Sequence, residues 1–238
     1  MARKANTASA GSPADPRRAA VEALMRLAAE HGWDGIELPD IAREAGLTLT
    51  QLRDLFPSRG AMLGGLARMI DGEVLAGTSS DLDGEPLHER LFDVVMRRLD
   101  ALTPYKPGLK RIVPAIKRDP LALAALNGVA LNSWRYMLAS ANIPTEDAMG
   151  AIRVQGAVLL FSRVMDVWLK DDEADLSKTM AALDRELKRA GQIMARAEDF
   201  HRLTAPLRGL ASAMCSRSPS ARRRERAGEG DAASVNAA

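Results

Sequence analysis

Apolar residues recur along most of the chain at the three- and four-residue steps that are typical of amphipathic helices. The sharpest pattern lies in residues 38–63, where two short helices are predicted on either side of a tight turn at Gly46. Pro39 suits the first turn of the first helix, and Gly46 suits the left-handed residue that follows its end. Thr48 and Gln51 have the spacing of a capping box, which starts the second helix. Together these features predict a helix-turn-helix.

The second helix of this motif has a predicted inner face and a predicted outer face. The residues expected to pack inward are Leu49, Leu52, Leu55 and Phe56. The residues expected to face outward are Thr50, Gln51, Arg53 and Asp54. The second helix of a helix-turn-helix can lie in the major groove of double-stranded DNA, so these outward side chains are candidate DNA contacts. In this interpretation Thr48 caps the helix, and Gln51 and Arg53 reach base edges or phosphates.

A first helix is predicted to begin at an N-cap formed by Asp15. Arg17, near the start of this helix, is either a contact to the DNA backbone or part of a solvated helix end. We expect residues 1–14 to be a disordered arm and residues 15–76 to form a helix-turn-helix domain of the DNA-binding type. Turn-forming residues at positions 77–86 predict a linker to the rest of the chain.

Residues 85–195 are predicted to form a second, helical domain. A helix over about residues 145–170 is apolar on more than one face, so it must be buried on more than one side. The next helix, from about Asp175, places apolar residues at alternating steps of four and three, which is coiled-coil spacing. Two such helices per subunit favour a four-helix bundle across a twofold axis, and therefore a homodimer. The alternative is that both helices pack within one subunit.

The interior of this second domain is rich in aromatic residues and methionine. A cavity for an apolar small molecule or a lipid could therefore open between its helices. The candidate ligand-binding residues are Trp134, Tyr136, Met137, Phe161, Met165 and Trp168. The alternative for each of them is ordinary core packing.

The C-terminal part predicts an amphipathic helix over residues 196–214, followed by a disordered basic tail over residues 215–238. The apolar face of the helix includes Phe200, Leu203, Leu207 and Leu210. This face either docks on the chain's own domain or makes a peripheral contact with a membrane surface.

Composition favours an all-α, soluble globular protein, because alanine, leucine and arginine are abundant and β-branched residues are sparse. The sequence has no run of about 18 apolar residues and no apolar signal segment, which predicts a cytoplasmic location. It also has no catalytic motif in the context that such a motif requires, and no cluster of metal ligands. We therefore predict no enzymatic activity, no metal and no cofactor. The single Cys215 cannot form an internal disulfide.

Charge is the observation that weighs against DNA binding. The whole chain has a formal net charge of +2, but residues 15–73 contain seven basic and ten acidic residues, which gives −3. Proteins that bind DNA gain much of their affinity by neutralising phosphates, so this balance is unfavourable. Basic residues concentrated on one face of a dimer would still permit binding.

The run DIAREAGLTLTQLRDLFPSRGAML resembles the DNA-binding segment of TetR-family transcriptional regulators. The match lies in Asp40-Ile41-Ala42, Ala45-Gly46, Leu52, Phe56, Ser58-Arg59 and Leu63. This resemblance implies a homodimeric repressor with a TetR-like fold that binds a palindromic operator and releases it when a ligand enters the C-terminal domain. It also implies that Arg59 contacts a backbone phosphate. The chain departs from the family at Arg53, where a tyrosine is usual, and at Leu49, where a polar or basic residue is frequent.

Nearly the whole chain also resembles the TetR-fold accessory proteins of ubiquinone biosynthesis. This likeness lies in the G-W pair at residues 32–33, the SWRYM segment, and the run MDVWLKDDEADLSKTMAALDREL followed by an amphipathic tail. It implies a protein that binds lipid or isoprenoid and presents it to partner enzymes without binding DNA. The sequence therefore leaves two functions open, and we expect the DNA-binding regulator.

Overall fold

All regular secondary structure in the described part of the chain is helical. A computed structural model describes residues 14–77 and 84–215, and their side chains as far as Arg196. The helices are α1 (Pro16–His31), α2 (Leu38–Glu44), α3 (Leu49–Leu55), α4 (Arg59–Ala76), α5 (Leu87–Leu102), α6 (Lys106–Arg118), α7 (Pro120–Ser140), α8 (Gly150–Trp168) and α9 (Ser177–Cys215), with a 3₁₀ turn at Thr103–Tyr105 between α5 and α6. The all-α prediction is confirmed. None of the described helices combines the length and the apolar character needed to cross a membrane.

The helices fall into two compact units. The first unit ends at Ala190 and contains α1–α8 and the first part of α9, which share one hydrophobic core. Residues 196–214 are helical as predicted, but they continue α9 and do not form a separate helix. The predicted N-terminal arm and the predicted basic tail lie almost wholly outside the described residues.

Side-chain caps define the ends of the first helices. The Asp15 carboxylate accepts a hydrogen bond from the Arg18 backbone N–H at 3.1 Å, which caps α1 as expected. Gly46 follows α2 with φ of 67°, a conformation that a residue with a Cβ adopts at a cost. Thr48 and Gln51 form the predicted capping box at the start of α3. The helix-turn-helix prediction is confirmed.

Close packing holds α3 between α1 and α4. A Cβ atom added at Gly65 on α4 would lie 2.9 Å from the Phe56 ring and 2.9 Å from a Val21 methyl group, so only glycine allows this approach. Phe56, which follows the last residue of α3, is buried in this contact. The orientation of α3 is therefore set by core packing on both sides.

One predicted inward residue of α3 is exposed. Leu52 and Phe56 are buried and Leu55 is half-buried, but the Leu49 side chain is 51% exposed, so its predicted inward packing is wrong. The helical repeat places Leu49 and Leu55 about 60° to either side of Leu52, and the core covers only the Leu55 side. Phe56 has an extended backbone, so helical spacing from Leu49 to Phe56 does not predict a shared face.

A buried ion pair joins α4 to the helices that follow it. The Arg98 Nη1 donates to the Asp71 Oδ1 at 2.5 Å, and the Ser133 hydroxyl donates to the same oxygen at 2.6 Å. The Arg98 guanidinium also lies 5.8 Å from the Trp134 ring centroid and 5.4 Å from that of Phe161. These side chains come from α4, α5, α7 and α8, so one cluster connects four helices.

We predict that breaking this pair destabilises the fold strongly. The Asp71→Leu change leaves the Arg98 guanidinium buried without a counter-charge, which costs about 3–5 kcal/mol. The double change Asp71→Leu with Arg98→Met removes both charges and should cost clearly less than the two single changes together. The measurement is urea unfolding, with Glu22→Ala in the exposed Arg18–Glu22 pair as the control, expected to cost no more than about 1 kcal/mol. Equal unfolding midpoints for Asp71→Leu and the control would contradict the prediction.

Candidate nucleic-acid interface

The capping box at the start of α3 fixes the side chains of Thr48 and Gln51. The Thr48 hydroxyl accepts from the Gln51 backbone N–H at 3.2 Å, and the Gln51 side-chain oxygen accepts from the Thr48 backbone N–H at 2.8 Å. The Gln51 oxygen is therefore engaged within the helix, which leaves its amide nitrogen to donate outward. Thr50 and Arg53 are exposed beside it, as predicted. Asp54 is also exposed on this helix.

Arg17 of α1 lies next to the end of α3. Its guanidinium carbon is 5.2 Å from the centroid of the Phe56 ring, in cation–π contact, while the residue as a whole is exposed. The contact holds a cation near the end of α3 without neutralising it. The fold thus brings Arg17 to Phe56, the residue that follows α3, a contact that sequence reasoning did not predict.

Several arginines of the helix-turn-helix region are paired with carboxylates. Arg18 pairs with Glu22 and Arg26 with Glu44, each at 2.8 Å, and Arg43 pairs with Asp40 at 2.6 Å. Within residues 14–77, Arg53 and Arg68 are the arginines with no ion-pair, hydrogen-bond or aromatic partner. Arg53 is therefore the uncommitted cation on the outer surface of α3. The net charge of −3 over residues 15–73 does not show which arginines are paired with carboxylates and which are not.

Arg59 is bound inside the domain. Its Nη1 donates to the backbone oxygens of Trp33 at 2.7 Å and Ile36 at 2.6 Å, and its guanidinium stacks over the Trp33 ring at 4.8 Å. The first residue of α4 is thereby attached to the loop between α1 and α2. The family resemblance assigned Arg59 to a phosphate contact, and sequence reasoning missed that Arg59 contacts Trp33 across 26 positions.

Known structures share this arrangement of helices. A TetR transcriptional regulator from Nitrosomonas europaea ATCC 19718 superposes with a TM-score of 0.60 at 19% identity, covering 75% of this chain and 99% of that chain. A TetR transcriptional regulator from Rhodococcus sp. RHA1 gives 0.55 at 17% identity, covering 74% and 95%. A TetR-family regulator from Streptomyces coelicolor gives 0.51 at 17% identity, covering 85% and 100%. The chain has the TetR fold. Neither a protein-family model nor a curated protein matches the sequence.

The predicted ligand-binding residues of this TetR fold occupy different environments. Trp134, Met137, Phe161 and Trp168 are buried in the core, and Met165 is half-buried. The rings of Trp134 and Phe161 have centroids 5.2 Å apart and flank Arg98. The Lys106 ammonium lies 4.9 Å from the Trp168 ring. Each aromatic side chain therefore has a structural partner in the core.

The expectation that Tyr136 lies in the interior with these residues is wrong. Its side chain is 57% exposed. Residues two positions apart on a helix point in nearly opposite directions, so Trp134 and Tyr136 cannot both face the core.

An open cleft lies between the exposed faces of α8 and α9. Its volume is about 480 Å³, and its lining residues are Arg163, Val167, Ala182, Arg185, Glu186 and Arg189. Glu186 pairs with Arg163 at 2.9 Å and with Arg189 at 3.9 Å, so three arginines face one carboxylate and the lining has an excess of positive charge. None of the predicted ligand-binding residues lines this cleft.

Titratable residues show no metal site in the described part of the chain. No group of three or more His, Cys, Asp or Glu residues in that part is arranged to hold a metal ion. His88 instead pairs with Asp184, with its Nε2 at 3.2 Å from the carboxylate.

We predict that Arg59 contributes mainly to the stability of the fold. The Arg59→Ala change removes the donor for two carbonyl groups and the stacking partner of Trp33, so it should lower the free energy of unfolding by about 1–3 kcal/mol. Arg68→Ala removes an exposed arginine from the same helix and should change it by less than about 0.5 kcal/mol. Urea unfolding of the two variants provides the measurement. If both variants have the stability of the unmodified chain, Arg59 has no such role.

Proposed function

We propose that the chain is a DNA-binding transcriptional regulator. The observation that carries the proposal is an exposed, capped recognition helix with Arg53 as its uncommitted cation, held between α1 and α4 in a TetR fold. A rigid helix with outward polar side chains is the form in which helix-turn-helix proteins read the major groove. The arrangement supports a repressor that binds a palindromic operator, as the resemblance implies.

The candidate contacts divide by their geometry. Thr50 and Arg53 are exposed and available to base edges or phosphates, and Gln51 offers its amide nitrogen. Thr48 acts by capping the helix. For Arg17 we propose a contact from α1 to a backbone phosphate, which its exposure beside Phe56 supports. For Arg59 we propose that its main role is to attach α4 to the loop between α1 and α2 and not to bind a phosphate, because its Nη1 already donates to two carbonyl groups.

We predict that Arg53→Ala weakens DNA binding selectively. The test sequence is obtained by selecting bound duplexes from a random pool with the full chain. Loss of Arg53 should reduce affinity for it about tenfold or more and make the slope of log K against log salt shallower by about 0.9 if one phosphate contact is lost. The control is Arg68→Ala, which removes the other arginine of residues 14–77 that has no partner, and it should change affinity little. Unchanged affinity in Arg53→Ala would reject the assignment of α3 as the recognition helix.

A homodimer formed by α8 and α9 is part of the proposal. Ile152 and Leu159 are both about half exposed on α8, seven residues apart and therefore on one face. Apolar side chains that stay half exposed on one face of a helix favour association with a second copy. We further propose that an apolar ligand binding near Trp134 and Phe161 changes the spacing of the two recognition helices and so releases DNA.

The second candidate function is a lipid- or isoprenoid-binding accessory protein without DNA binding. The observations that favour it are the net charge of −3 over residues 15–73 and the exposure of Leu49 and Asp54 on α3. The residues proposed for its membrane contact are Phe200, Leu203, Leu207 and Leu210, whose side chains lie outside the described residues.

Native mass spectrometry tests the oligomer and separates the two functions. We predict the mass of two 25.6 kDa chains for the unmodified protein and one chain for Leu159→Asp, because a buried unpaired carboxylate would oppose association. Leu121→Asp, at an exposed leucine of α7, is the matched control and should remain dimeric. A dimeric Leu159→Asp variant would contradict the proposed interface. Additional mass from a retained isoprenoid or phospholipid, in a protein that selects no sequence from the random DNA pool, would favour the second candidate function.

A further inference from the structure

Leu49 is unusual among the apolar residues of the helix-turn-helix region. Its side chain is 51% exposed, whereas every other large apolar side chain in residues 15–77 is buried or half-buried. An isolated exposed leucine has no meaning by itself, since apolar atoms make up much of any protein surface. Its position on the recognition helix is what gives it significance.

Leu49 shares the outer surface of α3 with Arg53. The two residues are four positions apart, so their side chains lie on one face, one turn from each other. Four residues of helix span about 6 Å, close to the rise of two base pairs. A duplex that places a base edge near Arg53 therefore places another base pair opposite Leu49.

The chemistry of the leucine side chain limits what it can recognise in the major groove. Its alkyl group has neither a donor nor an acceptor, so against a guanine, adenine or cytosine edge it would displace water from polar atoms and replace no hydrogen bond. The apolar group exposed in the major groove is the C5-methyl of thymine. A leucine methyl against this group removes apolar surface of both from water.

We propose that Leu49 is a specificity-determining residue that contacts the C5-methyl group of a thymine in the bound sequence. The proposal rests on the proposed function, because it assigns a base to one position of the recognition helix. It also accounts for an apolar residue on a surface whose neighbours Thr50 and Arg53 are polar.

The test uses duplexes that differ only in this methyl group. Each thymine of the selected sequence is replaced in turn by deoxyuridine, which keeps the base pairing and removes the C5-methyl. For the unmodified chain, one replacement should weaken binding about fourfold, the factor for one buried methyl-sized group. Leu49→Ala should bind the thymine and deoxyuridine duplexes equally at that position. Its fold is retained because the side chain contributes little to the core.

Arg53→Ala is the matched control on the same face of α3. It should bind more weakly overall but retain the fourfold preference for thymine, because Leu49 is still present. The inference is overturned if no deoxyuridine replacement weakens the unmodified chain, or if Leu49→Ala keeps the preference. If the full chain selects no DNA sequence at all, the proposed function fails, and this inference fails with it. Sequence-selective binding that ignores the methyl group overturns the inference alone.

Discussion

The ion pair between Asp71 and Arg98 is the interaction on which the arrangement of the helices depends. It is buried, it is shared with the Ser133 hydroxyl, and two aromatic rings flank its guanidinium. A charge in such a position is tolerated only while its partner stays in place. Because Asp71 belongs to α4 and Arg98 to α5, the pair fixes where α4 lies against the C-terminal helices. Apolar packing alone would allow α4 more freedom to slide.

The local features of the fold could be predicted from sequence, because the residues responsible are close together in the chain. The Asp15 cap, the left-handed Gly46 and the capping box of Thr48 and Gln51 each involve residues within four positions. The hydrogen bonds and the backbone conformation involved depend only on residues within about one turn of helix. The helix-turn-helix follows from these signals and from the apolar pattern.

Two kinds of feature could not be predicted. One is a contact between residues far apart in the chain, and the other is which face of a helix the core covers. Arg98 lies 27 positions from Asp71, and Arg59 lies 26 positions from Trp33, so no periodicity relates them. Leu49 was misplaced because the apolar spacing of α3 does not say where the core ends. The assignment of the candidate interface was similarly limited, since the total charge does not reveal which arginines are paired.

The attachment of Arg59 determines how movement would pass along α4. Its bonds join the start of α4 to the loop between α1 and α2, and Asp71 joins α4 to the C-terminal helices about 18 Å further along. α4 is therefore bonded at one point to the loop between α1 and α2 and at another to the C-terminal helices, so a movement at one point is transmitted to the other. A tilt of α4 by about 5° about Asp71 would displace its first turn by about 1.5 Å, together with the loop that Arg59 holds.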